Sequence, residues 1–224
     1  SIPFTQRLRV KSLDTLRAPV YRIIEPTVRW IVARGIHPNL VTTLGFLCVV
    51  AAGYLYHLDH VRSAGALVLL GGMWDIFDGQ VARMSGMASK FGSFYDSTLD
   101  RISEIVVFMG LLSLYNTYGP ALADVWMIYV IFAAMAGSIM VSYTRARAEG
   151  LGLDCTVGLM QRPERVVLIG AGSLLFGLDL DGIVLQYVIV LVAILTNLTA
   201  VQRILWVWQN AAGVPVDDPS LRGQ

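Results

Sequence analysis

Six separate stretches of this chain, roughly residues 39–58, 62–84, 91–116, 120–146, 163–178 and 183–208, are apolar enough and long enough to enter a bilayer. Crossing its hydrocarbon core takes about 20 helical residues at a rise of about 1.5 Å each. In lipid only helices and closed barrels satisfy their own backbone groups, so long continuous runs predict an all-α integral membrane protein with six transmembrane helices. The composition agrees. Hydrophobic residues make up 55% of the chain and charged ones only 15%, with a mean hydropathy of +0.62, whereas soluble domains carry about a quarter charged residues.

The segment before the first run has a different pattern. Leu13, Leu16, Val20, Ile23, Ile24, Val28 and Ile31 recur at helical spacing, with Arg17, Arg22, Glu25 and Arg29 on the other side. This predicts an amphipathic helix lying in the membrane surface, bent at Pro19 and Pro26. His37-Pro38-Asn39 then breaks the chain, with Asn39 the expected N-cap of the first span. The organisation read from these patterns is a basic, interfacial segment over 1–38, a six-helix catalytic domain over 39–210 and a flexible tail over 211–224. The N-terminal stretch is basic and broken before any apolar core, so no cleavable signal peptide is expected. Cys48 lies inside an apolar run far from Cys155, which argues against a disulfide, and neither has a His or Cys partner at metal-ligand spacing.

Charge placement predicts the topology. Of 17 Lys and Arg residues, only Arg62 falls on the side of the connections after spans one, three and five, leaving 16 on the other. The positive-inside rule puts that second side, with both termini, in the cytoplasm, in a cell (inner) membrane. The net charge of +1 says little beside the positions of the charges, and no nucleic-acid partner is expected.

Against this apolar background four aspartates stand out. Asp75 and Asp78 are three apart at the end of span two; Asp96 and Asp100 are four apart at the start of span three. Each pair shares a helix face, and a short Gly/Ser-containing connection makes the two helices antiparallel, so the acidic faces can converge. A carboxylate inside a spanning helix costs roughly 2.5–3.5 kcal/mol, and clustered carboxylates also repel. Divalent cations relieve both costs, and an all-oxygen set favours Mg²⁺ or Mn²⁺. Four carboxylates suffice for two ions, an arrangement suited to phosphorus chemistry. A cation transporter or channel is the alternative outside enzymes, although such pathways spread their acids across membrane depth, often with repeat symmetry. Gly79 and Gly92 stand on or beside the acidic face, where a missing Cβ lets a bulky ligand approach; packing of small residues is the other reading.

From Asp75 to Asp100 these residues read D-x-x-D-G-x-x-A-R-x8-G-x3-D-x3-D. The string resembles the signature of the CDP-alcohol phosphotransferase (CDP-alcohol phosphatidyltransferase) family, and the six-span layout resembles that family too. The resemblance implies that Asp75, Asp78 and Asp96 hold two metal ions, with Asp100 a ligand and the general base. It implies a CDP-alcohol site made by Gly79, Ala82, Arg83 and Gly92, by the start of span one at Asn39, Leu40, Val41 and Thr42, and by Ser89. A homodimer is implied by the family likeness alone.

A second polar cluster, Arg145, Arg147, Arg162, Arg165 and Arg203, lies at the cytoplasmic ends of spans four to six. Cytoplasmic anchoring is one reading, and a phosphate pocket is the other, since arginine offers two-bond contact to phosphate oxygens. The strings A-R-A-E-G, R-P-E-R and V-Q-R resemble the branch of the family that accepts inositol phosphate. By that resemblance Arg145, Arg162 and Arg203 bind the acceptor phosphate, with Arg147 and Arg165 in support. The implied reaction joins CDP-diacylglycerol and 1D-myo-inositol 3-phosphate, giving phosphatidylinositol phosphate and CMP. Glycerol-3-phosphate is the alternative acceptor, which would make the chain a phosphatidylglycerol phosphate synthase.

Overall fold

The computed structural model describes residues 24–117 and 125–211. Among them the chain is helical, without strands. A short helix α1 covers 24–33. It is followed by α2 (Pro38–His57), α3 (Val61–Ser85), α4 (Lys90–Thr117), α5 (Val125–Gly150), α6 (Arg162–Phe176) and α7 (Ile183–Ala211), with a 3₁₀ turn at Asp179–Gly182 before α7. Each of the six apolar stretches therefore corresponds to a helix. Three helical segments, Pro38–His57, Val125–Gly150 and Asp179–Ala211, are long and apolar enough to cross a membrane by length and composition. α3 and α4 are long enough but carry the acidic residues, while α6 has 15 residues, about 22 Å at a rise of 1.5 Å per residue.

The helices form a closed ring. α2 packs on α3, α3 on α6, α6 on α7, α7 on α5, α5 on α4, and α4 returns to α2. The interior is apolar, with Tyr56, Phe108, Leu111, Leu114, Ile131, Leu185 and Ile189 buried together. The outer surface is apolar as well: Tyr54, Met109, Trp126, Tyr129, Leu175, Tyr187 and Trp208 are all exposed. A helix hydrophobic on both its inner and outer faces is suited to lipid.

Glycines set the closest approaches in the ring. A Cβ at Gly72 would lie 2.7 Å from Val166 Cγ1, and one at Gly65 2.6 Å from the Gly170 carbonyl oxygen. These contacts draw α3 and α6 together as antiparallel neighbours, so Asp75, one turn past Gly72, comes opposite Arg162, one turn before Val166.

Two expectations change near the N-terminus. The N-cap of α2 is His37, not Asn39: His37 Nδ1 accepts from the Asn39 backbone N–H at 3.2 Å. Proline is pre-organised for the first helical position, and Pro38 takes it, which leaves the cap one residue earlier. The apolar face of α1 is covered by protein. Ile24, Val28 and Ile31 form a second buried cluster with Val41 of α2 and Phe77 and Val81 of α3, while Arg29 and Glu25 form an exposed ion pair at 2.6 Å. Leu13, Leu16, Pro19, Val20 and Ile23 of the predicted amphipathic helix, and the tail after 211, lie outside the described residues.

Candidate active site

The carboxylates of Asp75, Asp78 and Asp96 converge as the helical spacing predicts. One donor oxygen from each lies within 4.8 Å of the others. Asp78 is 5% exposed, and Asp78 Oδ2 and Asp96 Oδ1 are buried with no hydrogen-bond partner among the described residues. Three like charges this close repel strongly, and orphaned carboxylate oxygens away from water are costly. Both problems vanish if a divalent cation sits among the three, and a donor set made only of carboxylate oxygen suits a hard ion. The residues present therefore fit the predicted metal.

Asp100 stands beside this trio. Arg162 from α6 bonds Asp75 through Nη1 and Asp100 through Nη2, the latter at 2.8 Å, so one guanidinium bridges the two carboxylates. Arg101 approaches the other Asp100 oxygen at 3.4 Å. Asp100 thus faces cations on two sides at the edge of the acidic cluster.

An open cavity of about 240 Å³ adjoins the trio, lined by Pro38, Asn39, Thr42, Asp78, Gly79, Ala82, Arg83, Met87, Ala88, Ser89, Gly92, Ser93 and Asp96. Seven of the nine residues predicted for the CDP-alcohol lie on its wall. Leu40 and Val41 do not. Leu40 is 52% exposed on the outer surface and Val41 is buried in the α1 contact, because residues 39 and 42 share the helix face that turns inward and 40 and 41 point away. The Thr42 hydroxyl lies within reach of the Pro38 carbonyl, at 3.2 Å, and of the Asp78 carboxyl. Ser89 caps α4, its Oγ accepting from Gly92 N–H at 2.9 Å. A Cβ at Gly92 would come within 3.1 Å of Ser89 Oγ and 3.3 Å of Asn39 Oδ1, so glycine keeps this mouth open. Met87 and Ala88, in the connection between the two acidic helices, and Ser93, in the first turn of α4, also line the cavity; only their nearness to the aspartates could have singled them out.

The arginine cluster is less open than predicted. Arg145 pairs with Glu149 at 2.8 Å on the surface. Arg203 is 2% exposed; its Nε donates to the Val157 carbonyl at 2.9 Å and its Nη1 to the Val141 carbonyl. Arg145 and Arg165 both lie near enough to repel its charge. The predicted trio therefore divides: Arg162 faces the acids, Arg145 the surface, and Arg203 ties the 151–161 connection to α5. The backbone carbonyls that claim Arg203 leave no trace in a residue pattern. Cys155, in that connection, is fully buried; burial pushes its thiol pKa up and the neighbouring Arg203 pulls it back.

Known proteins resemble this chain over most of its length. The chain is 34% identical over 198 residues to the archaetidylinositol phosphate synthase of Methanothermobacter thermautotrophicus, covering 88% of this chain and 95% of that one. It is 34% identical over 203 residues to the phosphatidylinositol phosphate synthase of Streptomyces avermitilis, covering 88% and 82%. The fold matches the crystal structure of the Mycobacterium tuberculosis phosphatidylinositol phosphate synthase with CDP-DAG bound, with a TM-score of 0.77 and 30% identity over 88% of this chain and 98% of that one. A second structure of that enzyme, in complex with manganese and citrate, matches with a TM-score of 0.76 at 29% identity, covering 86% and 91%. Residues 35–211 match the CDP-alcohol phosphatidyltransferase description, and the chain, an enzyme, belongs to that family.

Proposed function

We propose that this enzyme transfers the phosphatidyl group of CDP-diacylglycerol to an inositol phosphate, taken as 1D-myo-inositol 3-phosphate, releasing CMP. The observation that carries the reading is the trio of carboxylates with two orphaned oxygens, set against a cavity whose wall holds Asn39, Gly79, Arg83 and Gly92. Asp75, Asp78 and Asp96, joined by Asp100, would hold two Mg²⁺ or Mn²⁺ ions. Bound there, such ions would neutralise the diphosphate of the donor and the charge that gathers on departing CMP.

The chain's own residues do the rest. Gly79 and Gly92 leave room for the nucleotide beside the backbone, and Arg83 offers a fixed charge to a phosphate. Asp100, at the edge of the cluster, takes the proton of the acceptor hydroxyl as its oxygen bonds to the lipid-bearing phosphorus and the bond from that phosphorus to CMP breaks. Arg162 and Arg145 are the candidates for the acceptor phosphate, with Arg203 supporting the connection beneath them. The names of the relatives favour inositol phosphate over glycerol-3-phosphate as acceptor. Membership of an enzyme family sets aside the transporter or channel reading.

All six long helices span the membrane in this reading, with the site and both termini on the cytoplasmic side, and the enzyme works as a homodimer in an inner membrane. Support comes from the apolar outer surface and the one-sided placement of Lys and Arg. The deciding experiment supplies purified protein with labelled CDP-diacylglycerol and either inositol 3-phosphate or glycerol-3-phosphate, and follows labelled lipid. Product with glycerol-3-phosphate alone would refute the acceptor assignment.

A further inference from the structure

α4 and α6 face each other across the helix ring and make little direct backbone contact. Two ion pairs, one turn apart, bridge the gap. Asp100 meets Arg162 in the first. In the second, Glu104, four residues past Asp100, meets Arg165, three residues past Arg162. Glu104 is 8% exposed and Arg165 2%. Arg165 grips Glu104 Oε1 through both Nε, at 3.0 Å, and Nη2, while its Nη1 donates to the Met160 carbonyl at 3.3 Å. The second rung therefore ties the start of α6 both to α4 and to the connection that precedes it.

A cavity of about 30 Å³ lies beside the second rung, its mostly apolar wall including Ser103, Glu104, Arg162 and Arg165. Glu104 Oε2 and Arg162 Nε are buried without a hydrogen-bond partner among the described residues. The space is large enough for a water molecule.

We propose that Glu104 is a positioning residue: through its pair with Arg165, it sets where the Arg162 guanidinium stands between Asp75 and Asp100. The physical warrant is the mismatch between what a buried ion pair does for stability and what it does for geometry. Replacing such a pair by well-packed apolar side chains is often neutral or stabilising, so folding alone gives little reason for charges here. A two-bond guanidinium–carboxylate contact, however, fixes distance and orientation. One helical turn from the reacting groups, it rotates and anchors α6 so that Arg162 meets both aspartates at once.

The role rests on the proposed reaction, and the test separates the two. In the full-length protein in detergent, the neutral pair E104M/R165M, the single variant Arg162→Lys and their combination form a cycle. It is read by CMP release, by melting temperature and by the Mn²⁺ concentration giving half-maximal thermal stabilisation. If the second rung positions Arg162, E104M/R165M melts close to the parent while kcat falls about tenfold or more. Its Mn²⁺ midpoint falls about threefold, because the guanidinium competes less well for Asp75 and Asp100. Adding Arg162→Lys then costs little further activity, since the group was already misplaced. Parental kcat and an unmoved Mn²⁺ midpoint in E104M/R165M overturn the proposal, as do two losses that simply multiply. Should that pair fail to fold, Glu104→Asp keeps the charge and shortens the reach, and parental kcat in that variant overturns the proposal equally. A parent that releases no CMP with any acceptor sinks the reaction reading instead, and the Mn²⁺ midpoint still decides the positioning role.

Discussion

Asp78 and Asp96 each keep a buried carboxylate oxygen with no protein partner, whereas Arg165 and Arg203, on the other side of the bundle end, have their guanidinium groups bonded to a carboxylate and to backbone carbonyls. Both groups of charges stand where a membrane helix carries charge only at a cost. The acids are left incomplete and the arginines are completed from within. An incomplete buried charge marks a place for something the chain itself does not supply, and a completed one marks framework. Arg162 stands between the two, paired with the acids yet keeping its Nε free.

The largest effect should come from the incomplete side. Asp78→Asn or Asp96→Asn removes a charge from the trio, and CMP release should fall by at least about a thousandfold, with loss of the thermal stabilisation given by Mg²⁺ or Mn²⁺. Chelation of the parent with EDTA should give the same loss, restored by adding the ion. Retained turnover in either case would break the contrast. On the completed side, Arg203→Met should act on stability first, because the Val157 carbonyl loses its side-chain donor and the 151–161 connection loses its tie to α5, at roughly 1–3 kcal/mol. A melting curve measures this, and an unchanged melting temperature with a raised KM for the acceptor would move Arg203 to the ligand side. At the cavity mouth, Gly92→Ala should leave folding intact and raise KM for CDP-diacylglycerol about tenfold, the scale of a misplaced methyl group. Smallest of all should be Arg62→Ala at the opposite end of the bundle. Its 2.5 Å pair with Asp179 is more than half exposed on both sides, and such pairs contribute about 1 kcal/mol or less. A melting shift much above a degree or two would show that end to be better built than exposure suggests.

The two sides also differ in how far the sequence discloses them. The acidic cluster is local: four residues on adjacent antiparallel helices, spaced by three and four, can meet only on one face. The six helices follow from six apolar runs in the same way, while the order in which they close a ring does not. Arginine contacts are long-range, and the side chains are long enough to reach several partners, so the residue pattern shows a cluster without showing what each member grips. Arg165 finds Glu104, 61 residues earlier in the chain, and Arg203 finds Val141, 62 residues earlier. The clue to the first was a lone glutamate inside an apolar run, one turn past Asp100. For the second there was none, since any backbone carbonyl looks alike in a sequence. Leu40 and Val41 lie off the cavity wall for a simpler reason: a motif names consecutive residues, and a helix turns half of them away.

The contact of Gly72 with Val166 limits the width of the catalytic cleft. Arginine is the longest basic side chain a protein has, and from α6 it must touch Asp75 on the facing helix and Asp100 across the ring. Any bulk at position 72 would wedge α3 from α6 near their polar ends, and no natural residue could stretch to make up the difference. A single hydrogen atom in place of a side chain thus holds the span within an arginine's reach.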